Sequence, residues 1–378
     1  MDSKKFKLVT VVGTRPEIIR LSEVIKKCDV AFNHILAHTG QNWNKELSDC
    51  FFSDLSLRQP DYFLEVVGED LGETMGNIIS KSYKMLVEEK PDAILVLGDT
   101  NSCLSVLAAK RLKIPIFHME AGNRCFDLNV PEEINRRIVD HVSDINLPYT
   151  EHSRRYLLDE GIRKEHVFVT GSPMAEVINV NKDLIDSSEI LSELGLVEKE
   201  YILVSAHREE NVDIESNFLS LIDSLNIIAE KYRFPIIFST HPRTQKRIDQ
   251  SGVALHPNIQ LLKPFGFFDY NKLQMRSFCV LSDSGTLSEE SALLRFPGIL
   301  IRTSTERPEV LDKGSILVGG IDAETIISCI DLVTRDFGAL LQDAGLPNDY
   351  LDLNVSNKIV KIISSYISIV NRNVWRKS

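Results

Sequence analysis

Short apolar runs alternate along the first half of the chain with stretches in which apolar residues recur every three or four positions. The second pattern predicts amphipathic helices over Pro16–Lys27, Asn44–Phe52, Leu71–Glu89 and from Glu132 onward. The apolar runs are typical of strands buried on both faces: Phe6–Val12, Ile35–Ala37, Ala93–Gly98, Ile114–Met119, Asp144–Leu147 and Val167–Thr170. This alternation predicts a parallel sheet covered by helices on both faces.

The same alternation starts again after a break near Gly171–Pro173. A helix is expected over Asn217–Tyr232, among five further strands at Tyr201–Ser205, Pro235–Ser239, Ile259–Leu262, Cys279–Ser282 and Gly298–Ile301. Because 378 residues exceed one ordinary core, two α/β patterns predict two domains, residues 1–172 and 173–355. An apolar-striped helix is expected over Asn357–Asn371. The predicted fold class is α/β, with two Rossmann-like doubly wound domains.

Charge and composition exclude several classes of function. The net charge of −11 disfavours general nucleic-acid binding, which depends on a basic surface. No apolar run reaches the roughly 18–20 residues that cross a bilayer, so no membrane partner is expected. The first residues lead directly into a strand, and the six cysteines lack CxxC or metal-ligand spacing. We therefore expect a cytoplasmic protein with reduced thiols and no metal site.

Two carboxylates follow neighbouring strands at the points where those strands end. Asp99 comes after Ala93–Gly98, and Glu120 directly follows Ile114–Met119. Ligands of open parallel sheets bind beyond the carboxyl ends of the strands, where such acids can transfer protons. Glu132, with Glu133 beside it, begins the next helix and is a third candidate acid. Helix capping and dipole pairing remain the alternative explanation for each of these acids.

Several strand-end loops carry groups suited to a phosphorylated ligand. Arg15 lies in a glycine-containing turn between strand and helix that has neither a GxGxxG nor a Walker pattern. Gln41 ends the polar loop after the second strand. His207 and Arg208 open the first loop of the second domain, where an imidazole could carry a proton or contact phosphate. An ordinary polar turn explains each of these loops about as well.

The strongest phosphate signal is Ser284–Gly285–Thr286, which lies between a strand and a helix. Hydroxyls and backbone N–H groups in such a turn can bind a diphosphate. Glu290, one turn further, could reach ribose hydroxyls, and Arg307 adds a cation after the next strand. Phe267 and Tyr270 could form a wall against which a base stacks, although such aromatic residues more often belong to the core.

These segments, taken in order, resemble the non-hydrolysing UDP-N-acetylglucosamine 2-epimerase family. A single motif would be weak, whereas the ordered set between residues 6 and 310 is highly specific. The matching stretches are GTRPE at 13–17, TGQ at 39–41, GDT at 98–100, EAG at 120–122, PEEINR at 131–136, HREEN at 207–211, DSG at 283–285, EE at 289–290 and TERPE at 305–309.

The resemblance implies a glycosyltransferase-B-like fold with the active site in the interdomain cleft. It also implies that residues 356–378 cross back onto the first domain, and that the protein is a homodimer. The implied reaction removes the C2 proton of a UDP-linked N-acetylhexosamine while UDP leaves C1, and then re-adds both on the way to a surface-polysaccharide precursor. The resemblance implies a UDP-sugar as the substrate and neither a redox cofactor nor a metal.

The resemblance also assigns roles to individual residues. The catalytic roles fall to Asp99, Glu120, Glu132 and His207. Substrate or UDP contacts fall to Arg15, Arg20, Gln41, Arg136, Arg208, Phe267, Tyr270, Ser284, Gly285, Thr286, Glu290 and Arg307. Which acid acts on which face of C2 stays open at this point.

Three departures from the family pattern bear on the substrate. Arg20 stands where the family often has lysine, and Asn42–Trp43 replace a His-Arg pair that contributes to an activator site. The segment 123–127 replaces the common LRT-like run. These features favour the branch that acts on UDP-2-acetamido-2,6-dideoxy-L-hexoses, such as the UDP-N-acetyl-L-fucosamine synthases, over UDP-GlcNAc/ManNAc. A glycosyltransferase, a hydrolysing epimerase and a non-catalytic nucleotide-sugar sensor are the remaining alternatives.

Overall fold

The computed structural model describes residues 5–41, 51–302, 305–335 and 347–377. The chain divides into two compact units. Unit 1 comprises Met1–Val180 and Asn348–Ser378, and unit 2 comprises Asn181–Pro347. Each unit is built around one parallel six-stranded sheet, so both of the predicted α/β patterns are present. Within the described ranges, no helix is long and apolar enough to cross a membrane.

Unit 1 contains strands β1 to β6 in the order β3-β2-β1-β4-β5-β6. The chain order reverses between β1 and β4, and this switch point is where open parallel sheets form a ligand crevice. The strands are β1 (Lys7–Val12), β2 (Asn33–His38), β3 (Tyr62–Phe63), β4 (Ala93–Leu97), β5 (Ile116–Met119) and β6 (Ile145–Leu147). The described helices are Arg15–Ala31, Leu71–Glu89, Ser105–Arg111, Pro131–Val142, Glu151–Asp159, Met174–Val180 and Val355–Asn373, with 3₁₀ turns at Asn101–Leu104, Lys164–His166 and Asn348–Tyr350.

Unit 2 repeats this topology with strands β7 to β12. Its order is β12-β11-β10-β7-β8-β9, so the switch point lies between β7 and β10. The strands are β7 (Ile202–Ser205), β8 (Ile236–Ser239), β9 (Ile259–Leu262), β10 (Cys279–Ser282), β11 (Gly298–Leu300) and β12 (Leu317–Val318). The helices are Lys182–Ser187, Ile190–Glu193, Glu209–Val212, Glu215–Tyr232, Pro242–Ser251, Phe267–Arg276, Leu287–Leu294, Pro308–Asp312 and Ala323–Arg335.

The C-terminal helix, Val355–Asn373, is part of unit 1. Its apolar stripe is buried through Ile359, Ile363 and Ile367. At its first turn the Ser356 backbone N–H donates to Glu176 Oε2 at 2.8 Å, which ties it to the helix Met174–Val180. Because that earlier helix also packs in unit 1, the unit ends at Val180, several residues beyond the boundary expected at residue 172.

One predicted strand of unit 1 is wrong. Val167–Thr170 runs beside β6 and donates from the Phe168 and Thr170 N–H groups to the carbonyl oxygens of Asn146 and Pro148, each at 3.0 Å, but it forms an isolated bridge and not a strand. The partner segment contains Pro148, which has no N–H to donate, so a regular ladder cannot continue there. Of the predicted helix Asn44–Phe52, residues 44–50 lie outside the described residues, as does the Asn42–Trp43 departure.

Candidate active site

The turn after β1 lies at the switch point of unit 1 and approaches its neighbours very closely. A Cβ atom placed on Gly13 would lie 1.9 Å from Ser102 Oγ and 2.3 Å from Thr39 Oγ1. Only glycine fits this position, because those two hydroxyls hydrogen-bond to each other at 2.9 Å just beside it. The loops after β1, β2 and β4 therefore meet at one point.

Glu17, in the first turn of the helix Arg15–Ala31, hydrogen-bonds to two of these loops. Its carboxylate accepts hydrogen bonds from the backbone N–H groups of Gly13 and Thr14 and from the Thr100 hydroxyl. Burial raises the pKa of Glu17 to about 7, against the opposing effect of these hydrogen bonds. We had not expected a site role for Glu17, since a first-turn acid on a helix is ordinary.

Asp99 lies just beyond β4 and pairs with Arg136. Arg136 donates from Nε and Nη2 to Asp99 Oδ2 at 2.8 and 2.7 Å. Asn135 donates from Nδ2 to the Asp99 carbonyl oxygen at 3.0 Å. The helix Pro131–Val142 thus holds both the side chain and the backbone of this acid, and an arginine beside a carboxylate favours its ionised form.

Glu120 directly follows β5 and forms a buried ion pair with Arg20. Its backbone is left-handed, with φ of 63°, a conformation that few residues other than glycine adopt. Its carboxylate also lies close to β4, because a Cβ placed on Gly98 would be 3.5 Å from Glu120 Oε2. Arg20, which we expected to contact substrate, here contacts a predicted catalytic acid.

Three acids of unit 1, one of them unexpected, influence a common neighbour. Burial first, and then the charges of Glu17, Asp99 and Glu120, raise the pKa of the Cys103 thiol. The negative charges of all three carboxylates therefore act on one sulfur atom. Glu132 is half-buried at the start of the helix Pro131–Val142, and it forms no hydrogen bond or ion pair with the part of the chain that the structure describes.

Two other predicted ligand contacts of unit 1 are partly accessible. Arg15 is half-buried, its guanidinium lies 5.5 Å from the centre of the Phe51 ring, and burial lowers its pKa. Gln41 is half-buried three residues after β2, and its buried Oε1 atom accepts no hydrogen bond from the described residues. Arg15 therefore keeps a partly exposed side chain that a ligand could engage, whereas the Gln41 contact stays a prediction.

In unit 2, Asp283 organises the loops at the switch point between β7 and β10. Its fully buried carboxylate accepts from the backbone N–H groups of His207 and Arg208, each at 2.9 Å, and from Asn211 Nδ2 at 3.1 Å. The Nδ1 atom of His207 is 3.4 Å from Asp283 Oδ1, and half of the His207 side chain is exposed. Asp283 therefore orients the predicted catalytic histidine, a role that sequence reasoning missed.

The loop Ser284–Gly285–Thr286 opens the helix Leu287–Leu294, as predicted for a diphosphate-binding turn. The Ser284 and Thr286 hydroxyls hydrogen-bond to each other at 2.9 Å. A Cβ on Gly285 would lie 2.4 Å from Glu306 Oε1, so the loop is pressed against that side chain. Arg208 Nη2 is 3.6 Å from the same Glu306 oxygen, which brings a cation beside the loop.

Among the remaining predicted contacts of unit 2, Phe267 and Arg307 are buried, whereas Tyr270 and Glu290 are half-buried. Arg307 pairs with Glu289 at 2.9 Å, and Glu290 accepts from Gln274 Nε2 at 2.6 Å. Burial, followed by the charge of Glu290, raises the pKa of Tyr270. Phe267 is 4% exposed, which leaves little ring surface for a base to stack on, and its stacking role stays a prediction.

Within residues 5–41, 51–302, 305–335 and 347–377, no group of three or more His, Cys, Asp or Glu side chains could hold a metal ion. The chemistry available in these loops is that of carboxylates, one imidazole, guanidinium groups and hydroxyls. Such a set can move protons and bind an anionic leaving group.

Comparison with known proteins identifies the family. A family model described as UDP-N-acetylglucosamine 2-epimerase matches residues 26–364. The chain belongs to the UDP-N-acetylglucosamine 2-epimerase family. The predicted fold class is confirmed, since two Rossmann-like doubly wound units are the components of a glycosyltransferase-B-like fold.

Individual members of the family are similar over nearly their whole length. A solved UDP-N-acetylglucosamine 2-epimerase from Rickettsia bellii is 47% identical with a TM-score of 0.91, covering 99% of this chain and 100% of that one. A relative from Methanococcus maripaludis, named UDP-N-acetylglucosamine 2-epimerase, is 36% identical over 339 residues, 87% of this chain and 92% of its own. A Methanocaldococcus jannaschii UDP-GlcNAc 2-epimerase, solved with UDP-GlcNAc and UDP, is 32% identical with a TM-score of 0.88, covering 95% and 99% of the two chains.

Proposed function

We propose that this epimerase-family chain is a non-hydrolysing UDP-N-acetylhexosamine 2-epimerase. The observation that carries the proposal is the grouping of Asp99 and Glu120 at the ends of β4 and β5, each beside a guanidinium that favours its ionised form. Two carboxylates held in this way suit the removal and return of a proton at carbon, because they offer a base on a rigid frame.

The proposed reaction begins with transfer of the C2 proton of the sugar to a carboxylate of unit 1. The electrons of the broken C2–H bond form a C1–C2 double bond, and UDP leaves with the electrons of the C1–O bond. The intermediate is a 2-acetamidoglycal. UDP then adds back to C1, and C2 takes a proton from the opposite face, which inverts that centre.

Unit 2 supplies the groups that suit the leaving nucleotide. The Ser284–Gly285–Thr286 loop precedes a helix N-terminus, where backbone N–H groups and hydroxyls favour phosphate. Arg208 and Arg307 add positive charge, and His207 offers a partly exposed imidazole whose Nδ1 atom lies 3.4 Å from Asp283 Oδ1. Strong binding of UDP stabilises the charge that develops on it, which helps C2–H cleavage at a weakly acidic carbon.

The finer parts of the proposal concern substrate, assembly and location. Arg20 and the segment 123–127 support a UDP-2-acetamido-2,6-dideoxy-L-hexose as the substrate in preference to UDP-GlcNAc. The family resemblance supports a homodimer that works in the cytoplasm and feeds surface-polysaccharide synthesis.

The test incubates the protein in D2O separately with UDP-GlcNAc and with a UDP-6-deoxy-L-hexosamine and follows C2 by NMR. We expect deuterium at C2 during turnover, because the abstracted proton exchanges with solvent. Asp99→Asn should lose this exchange, whereas Asp159→Asn, which changes an exposed acid of the same unit, should keep it.

Other outcomes would contradict the proposal in distinct ways. Product that keeps protium at C2 would exclude elimination. Release of free sugar would indicate a hydrolysing epimerase, and release of UDP only with an acceptor would indicate a glycosyltransferase.

A further inference from the structure

A buried histidine links the two strand ends that carry the proposed catalytic acids. His118 in β5 contacts the carbonyl oxygen of Gly98 through Nε2 at 2.8 Å. Its Nδ1 atom lies 3.0 Å from Asp140 Oδ1, and both side chains are fully buried. Burial alone would lower the pKa of His118, but the neighbouring Asp140 carboxylate outweighs it and raises that pKa. His118 thus joins the residue before Asp99 to the helix Pro131–Val142.

Asp140 holds the loop that begins with Glu120. The backbone N–H of Gly122 lies 3.2 Å from each Asp140 carboxylate oxygen. Arg124 donates from Nη1 to Asp140 Oδ2 at 2.7 Å and from the same atom to the Asn123 carbonyl oxygen at 2.7 Å. Asn123 in turn donates from Nδ2 to Glu120 Oε1 at 3.3 Å. Every residue from Gly122 to Arg124 is therefore connected to Asp140 or to Glu120.

This loop needs such support because its backbone is unusual. Glu120 has φ of 63° and Gly122 has φ of 82°. A Cβ on Gly122 would lie 2.4 Å from the Ser153 carbonyl oxygen, so the loop is also pressed against the helix Glu151–Asp159. A left-handed glutamate persists only where surrounding contacts fix it.

We propose that Asp140, together with His118, positions Glu120 and Asp99 for proton transfer at C2 of the sugar. Asp140 is a positioning residue, since its contacts reach the loop of Glu120 directly and the strand end of Asp99 through His118. This role rests on the proposed function. A misplacement of about 1 Å at the reacting atoms can lower the rate about 100-fold, so loss of such positioning contacts should lower kcat.

Asp144 provides a matched control, because it is another buried aspartate and lies between the helix Pro131–Val142 and β6. It is 3% exposed, accepts from the Ile116 backbone N–H at 3.0 Å and pairs with Lys110 at 2.6 Å. These contacts lie at the amino end of β5, the end opposite to Glu120. Asp144 is therefore a buried carboxylate that supports the same strand without holding the loop of Glu120.

The experiment compares Asp140→Asn with Asp144→Asn in the full-length protein, after thermal melting has checked that both variants are folded. For Asp140→Asn we expect kcat to fall at least about tenfold while the KM for the UDP-sugar and the Kd for UDP change less than about threefold. Backbone hydrogen exchange of residues 120–124 should become at least about tenfold faster. Asp144→Asn should keep kcat within about threefold and leave that exchange unchanged.

The outcomes separate this role from the proposed function. Equal losses of kcat in the two variants, or unchanged exchange at residues 120–124 in Asp140→Asn, would overturn the positioning role. A wild-type protein that leaves C2 of both sugars untouched would overturn the proposed function. Hydrogen exchange would still decide whether Asp140 holds the loop, because that measurement needs no substrate.

Discussion

At the scale of single residues, the carboxylates of unit 1 differ in what surrounds them. Glu120 and Asp99 face arginines, whereas Glu17 accepts only from neutral donors among the residues that the structure describes. A buried carboxylate without a cation keeps its proton more readily, which accounts for the raised pKa of Glu17. The same sheet edge therefore holds carboxylates with different tendencies to ionise.

The raised pKa of Glu17 predicts how stability depends on pH. Since its pKa is about 7 in the folded protein and 4.5 ordinarily, the folded state binds more protons between these values. The resulting stabilisation is complete below the lower value and is lost as pH rises through about 7. The unfolding free energy of the wild type should therefore be lower at about pH 8 than at about pH 4.5, by up to about 3 kcal/mol from Glu17. Glu17→Gln should remove this contribution. Urea titrations at the two pH values measure it.

A control for this measurement is Glu193→Gln, which changes an exposed glutamate of unit 2. Its unfolding free energy should follow the wild-type pH dependence. If Glu17→Gln also follows the wild-type curve, burial does not hold the proton on Glu17.

Whether a residue can be recognised from the sequence depends on the contacts through which it acts. Asp99 and Glu120 could be found because an acid at a strand end is poorly suited to core packing. Asp283 and Asp140 could not be found, because both act through backbone N–H groups that only folding brings to them. The contacts of Glu17 could not be recognised from the sequence, because an acid in the first turn of a helix is common.

At the scale of elements, the loops at the switch point of each unit carry the candidate site residues of that unit. The Ser284–Gly285–Thr286 turn depends on Gly285, beside which the Glu306 carboxylate lies. Gly285→Ala should push that carboxylate and the neighbouring Arg208 away from the turn. We expect UDP affinity to fall at least about tenfold, roughly the effect of losing one charge-assisted hydrogen bond. Calorimetric titration with UDP measures it.

The control for this substitution is Gly76→Ala in the helix Leu71–Glu89. Nothing lies within 4 Å of a Cβ at Gly76, so UDP affinity should stay unchanged while helix stability rises by about 0.5–1 kcal/mol. Unaltered UDP binding by Gly285→Ala would show that the turn does not hold the diphosphate.

The apolar runs predicted most elements because strands buried on both faces are continuously apolar. Leu71–Glu89 was predicted with the bounds that the structure has, since its amphipathic pattern is long. Strands β3 and β12 were missed because two residues carry no periodic signal. The Val167–Thr170 prediction failed because its partner segment contains Pro148, and the apolar run itself gave no sign of that.

At the scale of the whole molecule, unit 1 is made from two distant parts of the chain. Ile363 lies fully buried in the C-terminal helix, whereas Lys361 on the same helix is exposed. Ile363→Ala should lower the unfolding free energy of unit 1 by about 2–5 kcal/mol, through lost burial and the cavity left behind. Lys361→Ala should change it by less than about 0.5 kcal/mol.

Tryptophan fluorescence during urea unfolding measures this difference. The chain has two tryptophans, Trp43 and Trp375, and both fall within the sequence ranges of unit 1. If the two alanine variants unfold at the same urea concentration, the C-terminal helix does not stabilise unit 1.

The divided construction of unit 1 has a consequence for biosynthesis. As the chain leaves the ribosome, the N-terminal segment emerges first, and unit 2 follows as one uninterrupted stretch. The helix that carries Ile359 and Ile363 emerges only after unit 2. Until then, the nascent N-terminal segment exposes the apolar surface which that helix will cover, and a chaperone would have something to bind during this interval.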